Sequence, residues 1–420
     1  MTLFRALARA GTSLFFDAIE IEGAPPADGP LLVVANHTNG LVDGLVITAA
    51  IQRRVSLTAK STLKKNPLLA AIIWLADAVP LYRRQDAVDV AKNLDSFAAV
   101  RARLAGGGAV CIFPEGQSHS DASMREFKTG AARIALGCRG IGLKIVPVGL
   151  EYDAKQRFRS SVIVRFGDAI DADAFDDIHA LTNELEARVG QLATQFRSVR
   201  EMLWLRWTAE LLATNAENPR PLDRESSTFA ARAKRIAELR DAYERANRDD
   251  VVDLVAELRA YRRELRRLGI APHEVWLSMH PLQALFFTIR ELELLLAGGA
   301  IAAIGAVQHG LAFLADRVVT KKTSIDLDHW ASNAIFYGFA LFPLVTILGI
   351  AIVAALAGWR WALLYALAAP FTLVYSIRWS ERIARAARRA RTFFTFLVHR
   401  GLQRELQRRG RALIDAISRA

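Results

Sequence analysis

The chain has 420 residues, 52 % of them apolar and 23 % charged, with a net charge of +12 and a mean hydropathy of +0.18. So much apolar and so much charged surface coexist only if the two are segregated along the chain, and the length calls for two or more units. The two cysteines, Cys111 and Cys138, form no CxxC, which argues against a disulfide framework and suits a reducing compartment. The eight histidines are scattered without metal-ligand spacing, so no metal site is expected.

Residues 1–22 do not read as a secretion signal, because Arg5, Arg9 and Asp17 interrupt the apolar stretch. Leu3, Phe4, Leu7, Leu14 and Phe15 instead fit one side of an amphipathic helix. That helix either lies in a membrane interface or packs on the following domain.

Within 23–175, "LLVVAN", "VSLTAK", "AVPLYR", "AVCIFP", "KIVPVGLEY" and "SVIVRFG" read as short strands, rich in Val and Ile and bounded by Gly, Pro or charge. Helical stretches at 43–53, 66–76, 86–104 and 128–138 alternate with them. The alternation predicts an α/β class with a mostly parallel central sheet flanked by helices. Ligands in such sheets gather where strands end.

Over 176–280 the strand signals disappear. Val251, Leu254, Val255, Leu258, Tyr261, Leu265 and Leu268 recur at spacings of three and four, predicting an amphipathic helix over 249–268. Segments 181–214 and 226–248 also read as helical. The segment 281–320 is apolar but carries Glu293, Gln308 and His309, and reads as interfacial or re-entrant.

Residues 333–357 hold no charged side chain, enough to cross a hydrocarbon core, and 361–377 is a second such run. The two predict a transmembrane hairpin. Residues 378–420 follow as a basic tail, with twelve arginines against three acids, a net +9. Lys321 and Lys322 precede the hairpin, so positive charge on both outer flanks places both ends in the cytosol, on the side of the catalytic domain. Beside a membrane span, anionic lipid is the partner expected of the arginines. No nucleic acid is expected, because the tail lacks an aromatic-basic platform.

At the end of the first strand stands "ANHTNGLVD", residues 35–43. A histidine followed by a nearby aspartate is a pair in which the carboxylate can orient the imidazole. Further on come "FPEGQSH" at 113–119, "FKTGAARIA" with Lys128, "LTAKSTL" with Lys60, and "LYRRQD" with Arg83 and Arg84.

The order of these blocks resembles the glycerolipid acyltransferase family, most of all the fungal-type glycerol-3-phosphate/dihydroxyacetone-phosphate acyltransferase branch. The resemblance spans roughly residues 20–170. It implies a glycerol-phosphate acyltransferase fold and transfer of a fatty acyl group from an acyl thioester (acyl-CoA or acyl carrier protein) to glycerol-3-phosphate. Lysophosphatidate is the alternative acceptor, a non-catalytic lipid-binding membrane protein the alternative of another class, and no cofactor is implied. His37 becomes the general base and Asp43 its orienting partner. Arg83 and Lys128 are the leading phosphate ligands, followed by Lys60 and Arg84, which read equally well as surface charges. Glu115 and Gly116 resemble the acceptor-binding turn, with the carboxylate turned to the glycerol hydroxyls. Ser118 and Cys111 are expected to be structural.

The family's common first motif has four residues between His and Asp, whereas five separate His37 from Asp43. The extra residue is tolerable if Thr38–Leu41 form a loop and Gly40 makes the turn. Inside a helix it would rotate Asp43 by about 100°.

Overall fold

All six apolar runs are strands in the computed structural model. It describes residues 3–61, 70, 73–82, 93–213, 229–245, 248–277, 279, 281–324, 326–399 and 401–419. The described chain divides into two units, one of residues 1–199 with 318–339, the other of 200–317 with 340–420.

The first unit is built on β1 (Ala18–Glu22), β2 (Leu31–Ala35), β3 (Val55–Lys60), β4 (Val79–Leu81), β5 (Ala109–Ile112), β6 (Lys144–Tyr152), β7 (Ser161–Phe166) and β8 (Ile170–Asp171). The strand order is β1-β7-β6-β2-β5-β3-β4, with β8 on β6. Pairing is parallel except for β6 with β7 and with β8, so the expected mostly parallel sheet is what forms.

Central β2 is buried at every position because both sheet faces are covered. That is why it reads as an unbroken apolar run rather than an alternating one. Leu31, Val33 and Ala35 enter one core and Leu32 and Val34 the other. The helices of this unit are α1 (Leu3–Phe15), α2 (Gly40–Ala50), α3 (Asn93–Ala105), α4 (Gly130–Leu136) and α5 (Ile178–Leu192). Most of the helix expected at 66–76, and the start of that at 86–104, lie outside the described residues.

The N-terminal helix is shorter than expected and packs on the following domain. The helix stops at Phe15, and 18–22 is an edge strand rather than more helix. The helix buries Phe4, Ala8, Thr12 and Phe15 against α2, so it packs on the domain. Arg5 and Arg9 donate to the carbonyls of Gln52 (2.6 Å) and Ala49 (3.1 Å), satisfying the end of α2, where carbonyls lack helical partners. Ala331 and Ile335 join the same core.

The second unit is helical: α6 (Val199–Ala213), α7 (Phe229–Arg245), α8 (Arg248–Leu268), α9 (Pro281–Thr323), α10 (Leu327–Ala357), α11 (Trp359–Val398) and α12 (Leu402–Arg419), the last turns of α9 and the first of α10 belonging to the first unit. The helix read at 181–214 is two helices, α5 and α6, interrupted at 193–198. The basic tail is not a loose extension. Residues 378–398 continue α11, and α12 buries Leu406 and Leu413 in a core with Leu258, Tyr261, Leu265 and Trp276.

Among the described residues, three helices are long and apolar enough to cross a membrane, at Ile289–Thr323, His329–Ala357 and Trp359–Val398. The first was expected to be interfacial or re-entrant. It is one uninterrupted helix. It runs antiparallel to α11, because Glu291 meets Arg382 (3.0 Å) while His309 Nε2 donates to the carbonyl of Ala369 (3.0 Å). The two approach closely at Gly305, where a Cβ would stand 2.4 Å from the carbonyl oxygen of Thr372. Small residues at such crossings let backbones touch.

Candidate active site

The end of β2 is pinned before the loop begins. Asn36 Nδ2 donates to the carbonyl of Leu150 (3.0 Å) and its Oδ1 accepts the Leu150 N–H (2.7 Å). His37 follows, then a loop that turns at Gly40, φ +52°, a backbone conformation that favours glycine. Asp43 therefore sits in the first turn of α2, and the loop wraps around its carboxylate. The N–H groups of Thr38 and Asn39 both donate to Oδ2 at 2.8 Å. The loop expected over Thr38–Leu41 is shorter than that: the helix already begins at Gly40, so the extra residue is absorbed in Thr38 and Asn39 and in the turn at Gly40.

Asp43 is fully buried. Besides the two backbone donors, its Oδ2 meets His37 Nδ1 at 2.9 Å and its Oδ1 accepts the Tyr152 hydroxyl at 2.6 Å. Together these donors compensate the loss of water. With Nδ1–H directed at Asp43, the His37 lone pair lies on Nε2. The ring stacks on Phe113, 4.3 Å between centroids and 19° between planes.

His37 lines a cavity of about 470 Å³ together with Lys60, Gly116, Lys128 and Arg133. Leu81, Phe97, Ile112 and Phe113 supply an apolar wall. Lys60 and Lys128 thus reach one cavity with His37. Arg83 and Arg84 lie outside the described residues. Gly116 holds φ +79°, and a Cβ there would come 2.5 Å from Lys128 Nζ, so both the turn and the lysine's position depend on glycine.

Glu115 departs from expectation. Its carboxylate is buried and does not line the cavity. Oε1 accepts the backbone N–H of His37 (2.6 Å), and Oε2 accepts the backbone N–H of Arg125 (2.9 Å) and the ring of His119. His119 Nδ1 accepts the Asp121 N–H (3.2 Å), which leaves the proton on Nε2, facing Glu115. The carboxylate therefore joins the His37 loop to the 115–125 loop and is not turned to a substrate hydroxyl.

Three contributors escaped the sequence reading. Arg133, five residues after Lys128, has no local sequence signal that separates it from an ordinary helix-surface charge. Lys155 donates to the carbonyls of Thr38 (2.7 Å) and His119 (3.0 Å), a role that no local pattern announces. Tyr152 was visible only as the end of a quoted strand. Cys111 is buried, and burial followed by the Asp43 charge pushes its thiol up, consistent with a structural residue. Among the described residues no cluster of His, Cys, Asp and Glu is arranged to hold a metal.

Residues 18–151 match the family model described as Acyltransferase. Glycerol-3-phosphate O-acyltransferase 1 of Saccharomyces cerevisiae is 36 % identical over 104 residues, 24 % of this chain and 12 % of that protein. A 1-acyl-sn-glycerol-3-phosphate acyltransferase of Chlamydomonas reinhardtii is 31 % identical over 145 residues, 34 % of this chain and 41 % of that one. The chain therefore spans 12 % and 41 % of the length of these two relatives. Among solved structures, the 1-acyl-sn-glycerophosphate acyltransferase PlsC of Thermotoga maritima aligns at 24 % identity with a TM-score of 0.37, covering 45 % of this chain and 76 % of that one.

Proposed function

We propose, on the premise that residues 18–151 form an acyltransferase domain, that this chain is a membrane-bound O-acyltransferase. It moves a fatty acyl group from an acyl thioester, acyl-CoA or acyl carrier protein, to a hydroxyl of glycerol-3-phosphate. The observation that carries this reading is the His37–Asp43 pair at 2.9 Å, opening on a cavity that Lys60, Lys128 and Arg133 line among the described residues.

His37 Nε2 takes the proton of the acceptor hydroxyl as its oxygen attacks the thioester carbonyl. The tetrahedral adduct then collapses, the carbon–sulfur bond breaks, and the imidazolium returns its proton to the departing thiolate. General-base catalysis of this kind contributes about 10²–10⁴ in rate. Asp43 holds the ring in the Nδ1–H tautomer and stabilises the transient imidazolium. Lys60, Lys128 and Arg133 supply fixed charge for a phosphate, with Arg83 and Arg84 as further candidates by resemblance.

A lysophosphatidate acceptor is the second reading. The apolar wall of Leu81, Phe97, Ile112 and Phe113 would take its acyl chain, and the algal relative is named for that reaction. Exposed Arg404, Arg408 and Arg411 on α12 suit anionic lipid headgroups, and the positive flanks favour a catalytic domain facing the cytosol.

The test incubates the detergent-solubilised full chain with acyl-CoA or acyl carrier protein and each phosphorylated acceptor, then identifies the lipid by mass spectrometry. Lysophosphatidate formed from glycerol-3-phosphate is the expected product, and His37→Ala should lower its rate by at least about 10²-fold. Formation of phosphatidate alone would move the assignment to the second acceptor. No acyl transfer to any of them sinks the proposal.

A further inference from the structure

Three of the groups that hold Asp43 belong to its own loop: the His37 ring and the N–H groups of Thr38 and Asn39, all on Oδ2. Oδ1 is met instead by the last residue of β6, 109 positions away. We infer that Tyr152 is a positioning residue for the His37–Asp43 pair, its hydroxyl setting how strongly Asp43 holds the His37 proton. The inference deepens the acyltransferase reading and rests on His37 acting as its base.

The geometry makes the hydroxyl a fixed donor. Tyr152 is 5 % exposed, and its ring packs on Phe16 with centroids 5.8 Å apart. Burial pushes the phenol well above its usual range, the Asp43 charge and hydrogen bond add to that, and the Asn39 side chain opposes it. The phenol therefore stays protonated wherever an imidazole titrates.

The direction of its effect follows from charge. A hydrogen bond donated to Oδ1 draws electron density from the carboxylate and lowers its basicity. Remove that bond, and Asp43 stabilises the His37 imidazolium more strongly. The free base then requires a higher pH, and the acid limb of the rate profile moves up.

Other charged groups surround the pair. Cys111 faces Asp43 from the sheet, while Glu115, His119 and Lys155 meet the loop through backbone groups. Lys60, Tyr82, Lys128 and Arg133 lie around the cavity. None of them loses an atom in Tyr152→Phe, so a displaced His37 titration reports the missing hydroxyl.

The experiment follows carbethoxylation of His37 by diethyl pyrocarbonate in the full chain, read by mass spectrometry across pH, beside the pH profile of acyl transfer. Carbethoxylation counts the unprotonated ring whether or not the protein turns over. Tyr152→Phe should raise the midpoint by about half to one pH unit, slowing modification on the acid side by about three- to tenfold. In an Asp43→Asn background the same change should produce no shift.

Site-specific 3-fluorotyrosine at position 152 keeps the hydroxyl, makes it a stronger donor, and should move the midpoint down. It serves equally if the phenylalanine variant does not fold. A midpoint unmoved by either change, or a Tyr152→Phe shift that survives Asp43→Asn, overturns the inference. A wild-type chain that transfers no acyl group would sink the functional reading and leave the carbethoxylation result to judge Tyr152 alone.

Discussion

A carboxylate in a Pro-Glu-Gly turn after a strand reads from sequence as a ligand held out to substrate. Glu115 is the opposite, buried with both oxygens occupied. Its environment is made by the backbone of Arg125 and by His37, 78 positions upstream, and no local pattern encodes which way such a side chain turns. Glu115→Gln keeps the shape but sets an amide N–H against one of those donors. It should cost about 1–3 kcal/mol of stability and lower kcat, with little change in acceptor KM. A large rise in acceptor KM at unchanged thermal stability would restore the role of substrate ligand. His37 and Asp43, by contrast, were legible, because their pairing needs only a loop and the first turn of a helix. Arg133 was not, since nothing in "GAARIAL" separates a cavity-lining arginine from a solvated one. Arg133→Ala should raise the KM for a phosphorylated acceptor by about tenfold through loss of a ground-state charge contact. An equal weakening toward an acceptor without phosphate would show that Arg133 does not read phosphate.

The central strands were legible because a sheet covered on both faces makes each strand a continuous apolar run. The edge escaped for the same reason. "AIEIE" in β1 has no fully buried position, its Ile21 and Glu22 are exposed, and Arg165 reaches Glu22 at 2.8 Å, so the strand makes no continuous apolar run. Among the helices, hydropathy marked the apolar segments but not their partners. Contact between α9 and α11 is set by Gly305, the Glu291–Arg382 ion pair, and the His309 bond to Ala369. These points are spread over about 100 residues of sequence. Gly305→Leu should force the two helices apart and cost about 1–3 kcal/mol, seen as a lowered thermal midpoint in detergent. Unchanged stability would mean that the crossing is not a packing determinant.

The helical unit joins two segments that stand on either side of all three apolar helices. Tyr261 in α8 donates its hydroxyl to the carbonyl of Leu406 in α12 (2.9 Å). Gln403 donates to the carbonyls of Val275 (3.1 Å) and Leu277 (2.7 Å). One segment precedes the first candidate span and the other follows the last, yet they share a single core. Two pieces of one core cannot be parted by a bilayer. Whatever path the chain takes between 277 and 402, it returns to the face it left, so its crossings are even in number. The antiparallel pairing of α9 with α11 obeys the same parity, since the first and third of three successive crossings would run in the same sense. Three apolar helices therefore amount to two crossings or none, and the hairpin expected over 333–377 has the required parity. Single cysteines at Arg259, Trp359 and Arg411, in a chain otherwise free of cysteine, put this to an impermeant thiol reagent in sealed vesicles. Positions 259 and 411 should label from one face and 359 from the other. Labelling of 259 and 411 from opposite faces would break the parity and, with it, the shared core.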